Sequence, residues 1–423
     1  MLKKSAIISA MLCCSLVASA ETILYPAVPG MRTSEVYSVD VNGEEAWVEA
    51  VGPGGMEDLH TVNMSAEGKQ TFVITVNEDI ECYSIQPKSY GIKGEADGKT
   101  LTVSIDKPMK LYIRINQLPY LAIFSNPLEE KIPSKKDKNI EYYGPGNHEV
   151  GEIKVYDGQT IYIAGGANVT GRLTGSAKNV KIFSHTGVWG LDGINPVSCK
   201  GFDINDCFIR TRDDCIAIKS NGDPEKFDLS SRDITIRNST MVGWDHADGV
   251  TLGFELNGGV VENIRVTNCD ILSARGSGRT GGHAAFSIVC DGASEVKNIY
   301  FEDIRVEAAI EYKNLEIILT EAERYGNGRM GSINGVYLKN ISWENAFKPF
   351  TIVGHPTKYV ENVVFTNCYV GGKLMTGVED ADFQMEFTRD IIFVPGGKVQ
   401  YERFPEQDGE IQTRVSGQRR IQR

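Results

Sequence analysis

The sequence predicts an all-β protein in which an N-terminal β-sandwich is followed by a right-handed parallel β-helix. Three observations lead to this prediction: period-two apolar runs near the N-terminus, a seven-residue segment that recurs further on, and variable spacing between its copies. We expect the sandwich over residues 21–135, the β-helix over 140–395 and a polar tail over 396–423.

The first twenty residues have the organisation of a cleavable signal peptide. Lys3 and Lys4 give a basic start, residues 6–17 are apolar, and Ala18-Ser19-Ala20 is a small-residue cleavage site. The apolar stretch is too short to span a bilayer, and no later segment is apolar enough to cross one. We therefore expect residues 1–20 to be removed and the mature chain to be secreted or periplasmic, without a membrane span.

The composition narrows the classes of partner. The formal net charge is −12, and it becomes −14 when the leader, with two lysines and no acid, is removed. A strongly acidic surface argues against nucleic acid and anionic membranes as partners. The seven remaining cysteines show neither a CxxC pair nor a His-rich spacing, so small apolar core residues are the simplest interpretation. A single disulfide is left as an alternative, and a structural zinc site is disfavoured.

Short alternating runs separated by turn residues predict the sandwich. Apolar and polar residues alternate over 36–41, 71–76 and 101–105, and turn dipeptides such as Asn42-Gly43 lie between the runs. This spacing is typical of a β-sandwich. Residues 131–138 are charged and contain a proline, so we expect a linker there.

The recurring segment predicts the β-helix. Each copy has a polar pair, alternating apolar residues and then Asn or Asp at its seventh position, and successive copies start 22, 32, 30, 35, 37 and 27 residues apart. A fixed strand with variable insertions is typical of a solenoid, whose coils bury their apolar side only against one another. Because Asn and Asp tolerate left-handed backbone geometry, the seventh position should mark a turn. After a weaker copy that starts at Lys178, the copies span 200–206, 232–238, 262–268, 297–303, 334–340 and 361–367.

A second pattern follows the turns: in three coils an aspartate stands two residues before a branched apolar residue. If the branched residues point inward, we expect the three aspartates to share one outward face, with neighbouring coils about 4.8 Å apart. Asp213 would lie at the edge of the same cleft. The number of residues from the Asn or Asp turn to the aspartate is two larger for Asp248 than for Asp214. The three segments are 191–194, 213–216 and 247–250.

Clustered carboxylates raise one another's pKa and are costly without a function. Two carboxyls about 6.5–9.5 Å apart are what an inverting glycosidase needs, one as acid for the leaving oxygen and one as base for water. Asp192, Asp213 and Asp214 are therefore the candidate catalytic residues. A calcium site and ordinary turn residues in a solvated loop are the alternatives at this point.

Side chains suited to sugar contacts are expected around the cluster. Tryptophan faces suit sugar rings, although a tryptophan in a β-rich chain often belongs to the core. A histidine could orient water or a carboxylate, and Lys219 continues the Asp213 strand on the same side. The expected substrate-binding residues are Trp189, Lys219, Trp244, His246, Asp248, Arg275 and His283, with Arg279 nearby.

Asp192-Gly193 followed by Asp213-Asp214-Cys215-Ile216-Ala217 resembles the polygalacturonases of glycoside hydrolase family 28. Their pattern is Asn-Thr-Asp-Gly and then, at matching spacing, Asp-Asp-Cys-Ile-Ala. The chain is also similar to the dextranase and isopullulanase family 49, which places a β-sandwich before the β-helix. Both families invert the anomeric configuration. The resemblance implies that Asp213 is the general acid and that Asp192 and Asp214 hold and activate water.

Two departures from the polygalacturonase pattern bear on the substrate. The Gly-His-Gly motif aligns with 247–249, where its histidine is absent, and the Arg-Ile-Lys motif falls near 286–289, where neither cation is present. Recognition of a polyuronate needs cations against its carboxylates. We therefore expect an inverting hydrolase of a neutral polysaccharide or oligosaccharide, such as an α-glucan, that needs no cofactor or metal. A polygalacturonase-like pectin hydrolase, a β-helix lyase and a non-catalytic sugar-binding protein are the alternatives.

Overall fold

The structure is a computed structural model that describes residues 21–52, 58–175, 181–183, 192–244, 247–274, 284–307, 313–346, 348–396 and 413–417. The expected signal peptide lies outside the described residues. So do five residues named above as sugar contacts or their neighbours: Trp189, His246, Arg275, Arg279 and His283. None of the helices in the described part of the chain is long and apolar enough to cross a membrane.

The N-terminal part is a sandwich of two mainly antiparallel sheets. Its strands are β1 (Thr22–Leu24), β2 (Tyr37–Val41), β3 (Glu44–Ala46), β4 (Glu49–Val51), β5 (Leu59–Ala66), β6 (Gln70–Val76), β7 (Tyr83–Gln86), β8 (Gly94–Asp97), β9 (Thr100–Ile105), β10 (Lys110–Ile115) and β11 (Tyr120–Pro127). One sheet has the order β1-β5-β11-β10-β7 with β4 beside β5, and the other has the order β3-β2-β6-β9-β8. Period-two burial, complete in β2 and β6, supplies the core between the sheets. A 3-10 helix, Lys88–Tyr90, follows β7.

The rest of the chain is a right-handed parallel β-helix, as predicted. Its strands are β12 (Ile140–Tyr143), β13 (Gly146–Lys154), β14 (Thr160–Ile163), β15 (Ala167–Thr174), β16 (Lys181–Phe183), β17 (Asp203–Asn205), β18 (Phe208–Thr211), β19 (Ile216–Ser220), β20 (Ser231–Arg232), β21 (Thr235–Arg237), β22 (Thr240–Gly243), β23 (Val250–Leu256), β24 (Val260–Ser273), β25 (Ala284–Cys290), β26 (Glu295–Val306), β27 (Lys313–Leu319), β28 (Ser332–Trp343), β29 (Phe350–Val353), β30 (Val360–Thr366), β31 (Tyr369–Val370), β32 (Lys373–Leu374), β33 (Phe383–Glu386), β34 (Thr388–Val394) and β35 (Thr413–Gly417). A second 3-10 helix is Val378–Asp380.

The coils stack as parallel strands in two long sheets. The larger sheet follows the recurring segments in the order β12-β14-β16-β17-β21-β24-β26-β28-β30-β34-β35. A six-stranded sheet, β19-β23-β25-β27-β29-β33, forms another wall and is called the site sheet below. Strand β35, within the expected polar tail, pairs antiparallel with β34.

The seventh position of the repeat marks a turn, as predicted. All six residues there have positive φ, between 50° and 56°: Asp206, Asn238, Asn268, Asp303, Asn340 and Asn367. The side chains also form a ladder along the helix. The Asn340 amide donates to the Asp303 carboxylate at 2.8 Å and accepts from the Asn367 amide at 2.7 Å. Asn and Asp therefore serve both the turn and the contact between coils.

The β-helix interior is apolar and includes most of the cysteines. All seven cysteines after residue 20 are free thiols, and six of them are buried, whereas Cys82 is exposed. Cys215, Cys269 and Cys290 are in the same core as the isoleucines and valines of the repeat. The interpretation of small apolar core residues is confirmed for the six buried cysteines and is wrong for Cys82, and no disulfide joins any of these seven.

The sandwich packs against the β-helix through an apolar contact rimmed by ion pairs. Phe124 of the sandwich meets Phe208 of the β-helix edge to face at 5.0 Å, and Val242 and Leu272 on the next coils extend the apolar patch. Lys110, itself buried, pairs with Asp206 at the rim. Strand β18, which begins at Phe208, ends two residues before Asp213.

Candidate active site

The strand register places three aspartates in one column at the edge of the site sheet. Ile194 pairs with Ile216, and Ile216 pairs with Val250, so the aspartates two residues earlier in each coil are also aligned. The backbone continues the ladder there, because the Gly193 N–H donates to the Asp214 carbonyl at 2.8 Å and the Cys215 N–H donates to the Asp248 carbonyl at 2.9 Å. The predicted alignment of Asp192, Asp214 and Asp248 is therefore present.

Three carboxylates converge on the accessible side of this column. One oxygen from each of Asp192, Asp213 and Asp214 lies within 4.8 Å of the others, and all three residues are partly exposed. This closest approach is shorter than the separation of about 6.5–9.5 Å that is typical of inverting glycosidases. The carboxylate spacing alone therefore does not favour inversion over retention.

Asp248 lies behind this group and does not share the outward face, which corrects the expectation that it contacts substrate. Its side chain is 1 % exposed and accepts a hydrogen bond from the Ala284 N–H on the next coil. Its own N–H donates to Asp214 Oδ1 at 2.9 Å. Asp248 therefore bears on the site through its hydrogen bond to Asp214.

Asp214 is the carboxyl whose proton affinity the site changes most clearly. Burial raises the pKa of Asp214 well above its ordinary value, and the nearby charge of Asp248 raises it further. The Asp248 backbone N–H acts in the opposite direction, while the charges of Asp213 and Asp192 add to the rise. The raised pKa of Asp214 agrees with the expectation that the clustered carboxylates raise one another's pKa.

Asp192 is held by polar partners on its other side. Its Oδ2 accepts from the Asn195 amide at 2.8 Å and lies 3.4 Å from the Lys219 ammonium. Lys219 also pairs with Glu255 at 2.8 Å. Although burial acts to lower the pKa of Lys219, the hydrogen bond to Glu255 and the charge of Asp192 raise it overall. The expected position of Lys219 beside the aspartates is therefore present, but as part of an ion-pair network.

Trp244 is the remaining expected sugar contact that the structure describes. It is partly exposed and follows β22. Its backbone N–H donates to the Thr211 carbonyl at 2.8 Å, and its backbone carbonyl accepts from the Ala247 N–H at 3.0 Å. This turn holds it between the Asp213 and Asp248 segments. Its contact with a sugar stays a prediction.

On the next coils of the site sheet, the positions aligned with Ser287 hold acidic or neutral residues. Ser287 aligns with Glu316, which aligns with Thr351, and all three are buried. Phe286 and Ile288 belong to the core, as expected for neighbours of opposite orientation. Glu316 forms an ion pair with Lys313, so this lysine is already compensated.

A cavity of about 720 Å³ opens beyond the other end of β19. Asn221, Asn257 and Asn327 contribute amides to its lining, and Phe227, whose side chain is 57 % exposed, contributes an aromatic face. Asn221 also donates to Glu255 at 2.9 Å, which connects the cavity wall to the ion-pair network beside Asp192. An aromatic face flanked by amides is suited to a sugar ring.

Several residues of this region were not found from the sequence. Asn195 and Glu255 hold Asp192 and Lys219, and Asp291 in turn accepts the N–H groups of Glu255 and Leu256. The register between β19 and β23 shifts after Ile218, so counting residues along the strands does not align Lys219 with Glu255. The positive φ of Glu255, +71°, is likewise not encoded by a turn residue.

Comparison with known proteins assigns the family. The family model described as Glycosyl hydrolases family 28 matches residues 129–346, slightly more than half of the chain, and includes the aspartate column. The chain belongs to glycosyl hydrolases family 28. A Vitis vinifera protein described as "Probable polygalacturonase" is 35 % identical to this family 28 chain over 98 residues, which are 21 % of the chain. The family 28 chain spans about a fifth, 20 %, of the length of that relative.

A solved structure supports the fold of this family 28 chain. Dex49A from Penicillium minioluteum superposes with a TM-score of 0.54, and the match covers 86 % of this chain and 94 % of that chain. The two sequences are only 9 % identical, so this likeness concerns the architecture alone. It covers both the sandwich and the β-helix of the family 28 chain, given how much of each chain is matched.

Proposed function

We propose that this family 28 protein is a secreted glycoside hydrolase that cleaves a polysaccharide or oligosaccharide at Asp192, Asp213 and Asp214. The observation that carries the proposal is the convergence of these three carboxylates within 4.8 Å on the accessible edge of the site sheet. Glycoside hydrolysis needs one carboxyl that protonates the leaving oxygen and one that deprotonates or replaces the attacking water.

The roles follow from the family resemblance together with the surroundings of each group. Asp213 protonates the glycosidic oxygen, and Asp192 and Asp214 position and activate the water. A base with a raised pKa accepts a proton from water more readily, provided that the working pH leaves it ionised. The raised pKa of Asp214 therefore suits a general base, and burial together with the Asp248 charge is its cause.

A neutral glycan is the substrate class that the described side chains favour. Lys219 lies against two carboxylates, and Lys313 lies against Glu316, so both lysines are already paired. The Arg-Ile-Lys motif of the polygalacturonases falls near residues 286–289, which contain neither cation. Aromatic faces and amides, such as Phe227 and Asn257 at the cavity, bind neutral sugars without a charge.

A polygalacturonase-like activity is the second candidate. The family model and the local identity to a "Probable polygalacturonase" favour it, and Arg329 lines the cavity. An arginine can bind a uronate carboxylate through two parallel hydrogen bonds. Substrate assays separate the two candidates directly.

The test is a screen of the mature protein on neutral and acidic glycans, with reducing-end release as the signal. We expect release from a neutral polysaccharide such as dextran or pullulan and no loss of activity with EDTA. Release from polygalacturonate alone would replace the neutral substrate with a uronate. Loss of activity with EDTA, or unsaturated products, would indicate a cation-dependent lyase, and binding without cleavage would indicate a non-catalytic sugar-binding protein.

A further inference from the structure

We infer that Glu255 is a positioning residue of the catalytic site: it holds the Lys219 ammonium beside Asp192 without letting it close onto that carboxylate. The inference rests on the proposed hydrolase function and adds a residue to it. Glu255 lies 36 residues from Lys219 in sequence but on the adjacent strand of the site sheet.

The Lys219 ammonium lies closer to the Glu255 carboxylate than to the Asp192 carboxylate. Lys219 Nζ lies 2.8 Å from Glu255 Oε2 and 3.4 Å from Asp192 Oδ2. The second Glu255 oxygen, Oε1, accepts from the Asn221 amide at 2.9 Å, so the carboxylate is fixed at both oxygens. The lysine is thus drawn towards Glu255 and only approaches Asp192.

The backbone around Glu255 is held in an unusual conformation. Its φ is +71°, in the left-handed region that strains a residue other than glycine. Buried Asp291 supports this conformation, since its two carboxylate oxygens accept the N–H groups of Glu255 at 3.1 Å and Leu256 at 3.0 Å. A left-handed backbone fixed by a buried carboxylate directs the Glu255 side chain to Lys219.

This arrangement keeps Asp192 available for chemistry. Both of its hydrogen-bond contacts, from Asn195 and Lys219, go to Oδ2, and Oδ1 accepts none from the described residues. A lysine with Asp192 as its one carboxylate partner would close to full contact and reduce the basicity of that carboxylate. Glu255 competes for the Lys219 ammonium. It thereby keeps the ammonium beside Asp192 and preserves the reactivity of the Asp192 carboxylate.

The test is a double-mutant cycle of Glu255→Gln and Lys219→Met in the full-length mature protein, assayed on the substrate that the glycan screen identifies. We expect Glu255→Gln to lower kcat about 10-fold or more, with KM within about 2-fold and an unchanged melting temperature. In the Lys219→Met background the same substitution should change kcat by less than about 2-fold, because Glu255 acts through the lysine. Glu295→Gln, which removes the partner of Lys297 on the surface, is the matched control and should have no effect.

The outcomes keep this inference separate from the proposed function. A wild-type protein that cleaves no glycan would end the proposed function. An active wild type in which Glu255→Gln keeps full kcat would overturn the inference alone. Additive losses in the double variant would also overturn it, because Glu255 would then act independently of Lys219. A lowered melting temperature that accounts for the lost activity would overturn it as well, because the role of Glu255 would then be structural.

Discussion

At the scale of single residues, the site brings acids together at a cost to stability. Asp214 and Asp248 occupy aligned positions on adjacent coils, and Asp213 and Asp192 lie beside them. Buried like charges disfavour the ionised form, which is why the pKa of Asp214 is raised. A fold selected only for stability would not place four carboxyls here, and this supports the proposed catalytic role.

Asp214→Asn should therefore inactivate the protein and stabilise it. A carboxyl whose folded pKa exceeds its unfolded pKa stabilises the fold below the unfolded pKa, and this contribution is lost as the pH rises through the folded pKa. At neutral pH the wild type carries the repulsion and the variant does not, while the amide oxygen can still accept from the Asp248 N–H. We expect the melting temperature of the variant to exceed that of the wild type by about 2–4 °C at neutral pH.

The pH dependence checks the cause of that gain. The difference in melting temperature between Asp214→Asn and wild type should shrink as the pH falls to about 4, near the ordinary pKa of an aspartate. Scanning calorimetry at several pH values measures it. A variant that is less stable than the wild type at neutral pH would show that charge repulsion at Asp214 does not destabilise the fold.

At the scale of the elements, the seventh position of each repeat determines how the coils turn and stack. Its residue has positive φ, and an asparagine there can both donate and accept along the ladder, as Asn340 does with Asp303 and Asn367. The sequence revealed this position because the requirement is local: few residues other than Asn, Asp and Gly accept left-handed geometry. The same reasoning located the turns without any knowledge of the tertiary contacts.

Asn340→Ala should cost about 2–4 kcal/mol of unfolding free energy, because it combines left-handed strain with the loss of two hydrogen bonds. Asn340→Gly is the matched control, since glycine accepts the positive φ and loses only the ladder bonds. Urea unfolding measures both. Equal losses in the two variants would mean that the backbone conformation at this turn contributes little.

What escaped prediction depends on contacts between distant segments. The aligned aspartates could be found because they keep a constant offset from Ile194, Ile216 and Val250. The burial of Asp248 could not, because it depends on the contact with Ala284 on the next coil rather than on residue type. Glu255 was missed because a register shift follows Ile218 and interrupts the counting along the strands.

At the scale of the whole molecule, the sandwich and the β-helix share an apolar contact on a sheet other than the site sheet. Phe124, 2 % exposed, packs on Phe208, and Tyr112 lies 5.8 Å from the same ring. This apolar contact stabilises the molecule, and its residues do not form part of the cleft. The contact should therefore affect unfolding much more than turnover.

Phe124→Ala should lower the unfolding free energy by about 3–5 kcal/mol, because it leaves a cavity against Phe208. At a temperature at which the variant is folded, kcat should stay within about 2-fold of wild type. Ile23→Ala on the same sheet, where Ile23 is 43 % exposed, is the control and should change stability little. A large fall in kcat with folding intact would indicate that the sandwich shapes the active site directly.

The most direct measurement of the central claim is the rate of reducing-end release by wild type, Asp192→Asn, Asp213→Asn and Asp214→Asn on the identified glycan. We expect each variant to remain folded and to lose at least about 100-fold in kcat, because proton transfer needs each carboxyl. Near-normal release by Asp213→Asn, with the fold intact, would show that Asp213 is not the general acid.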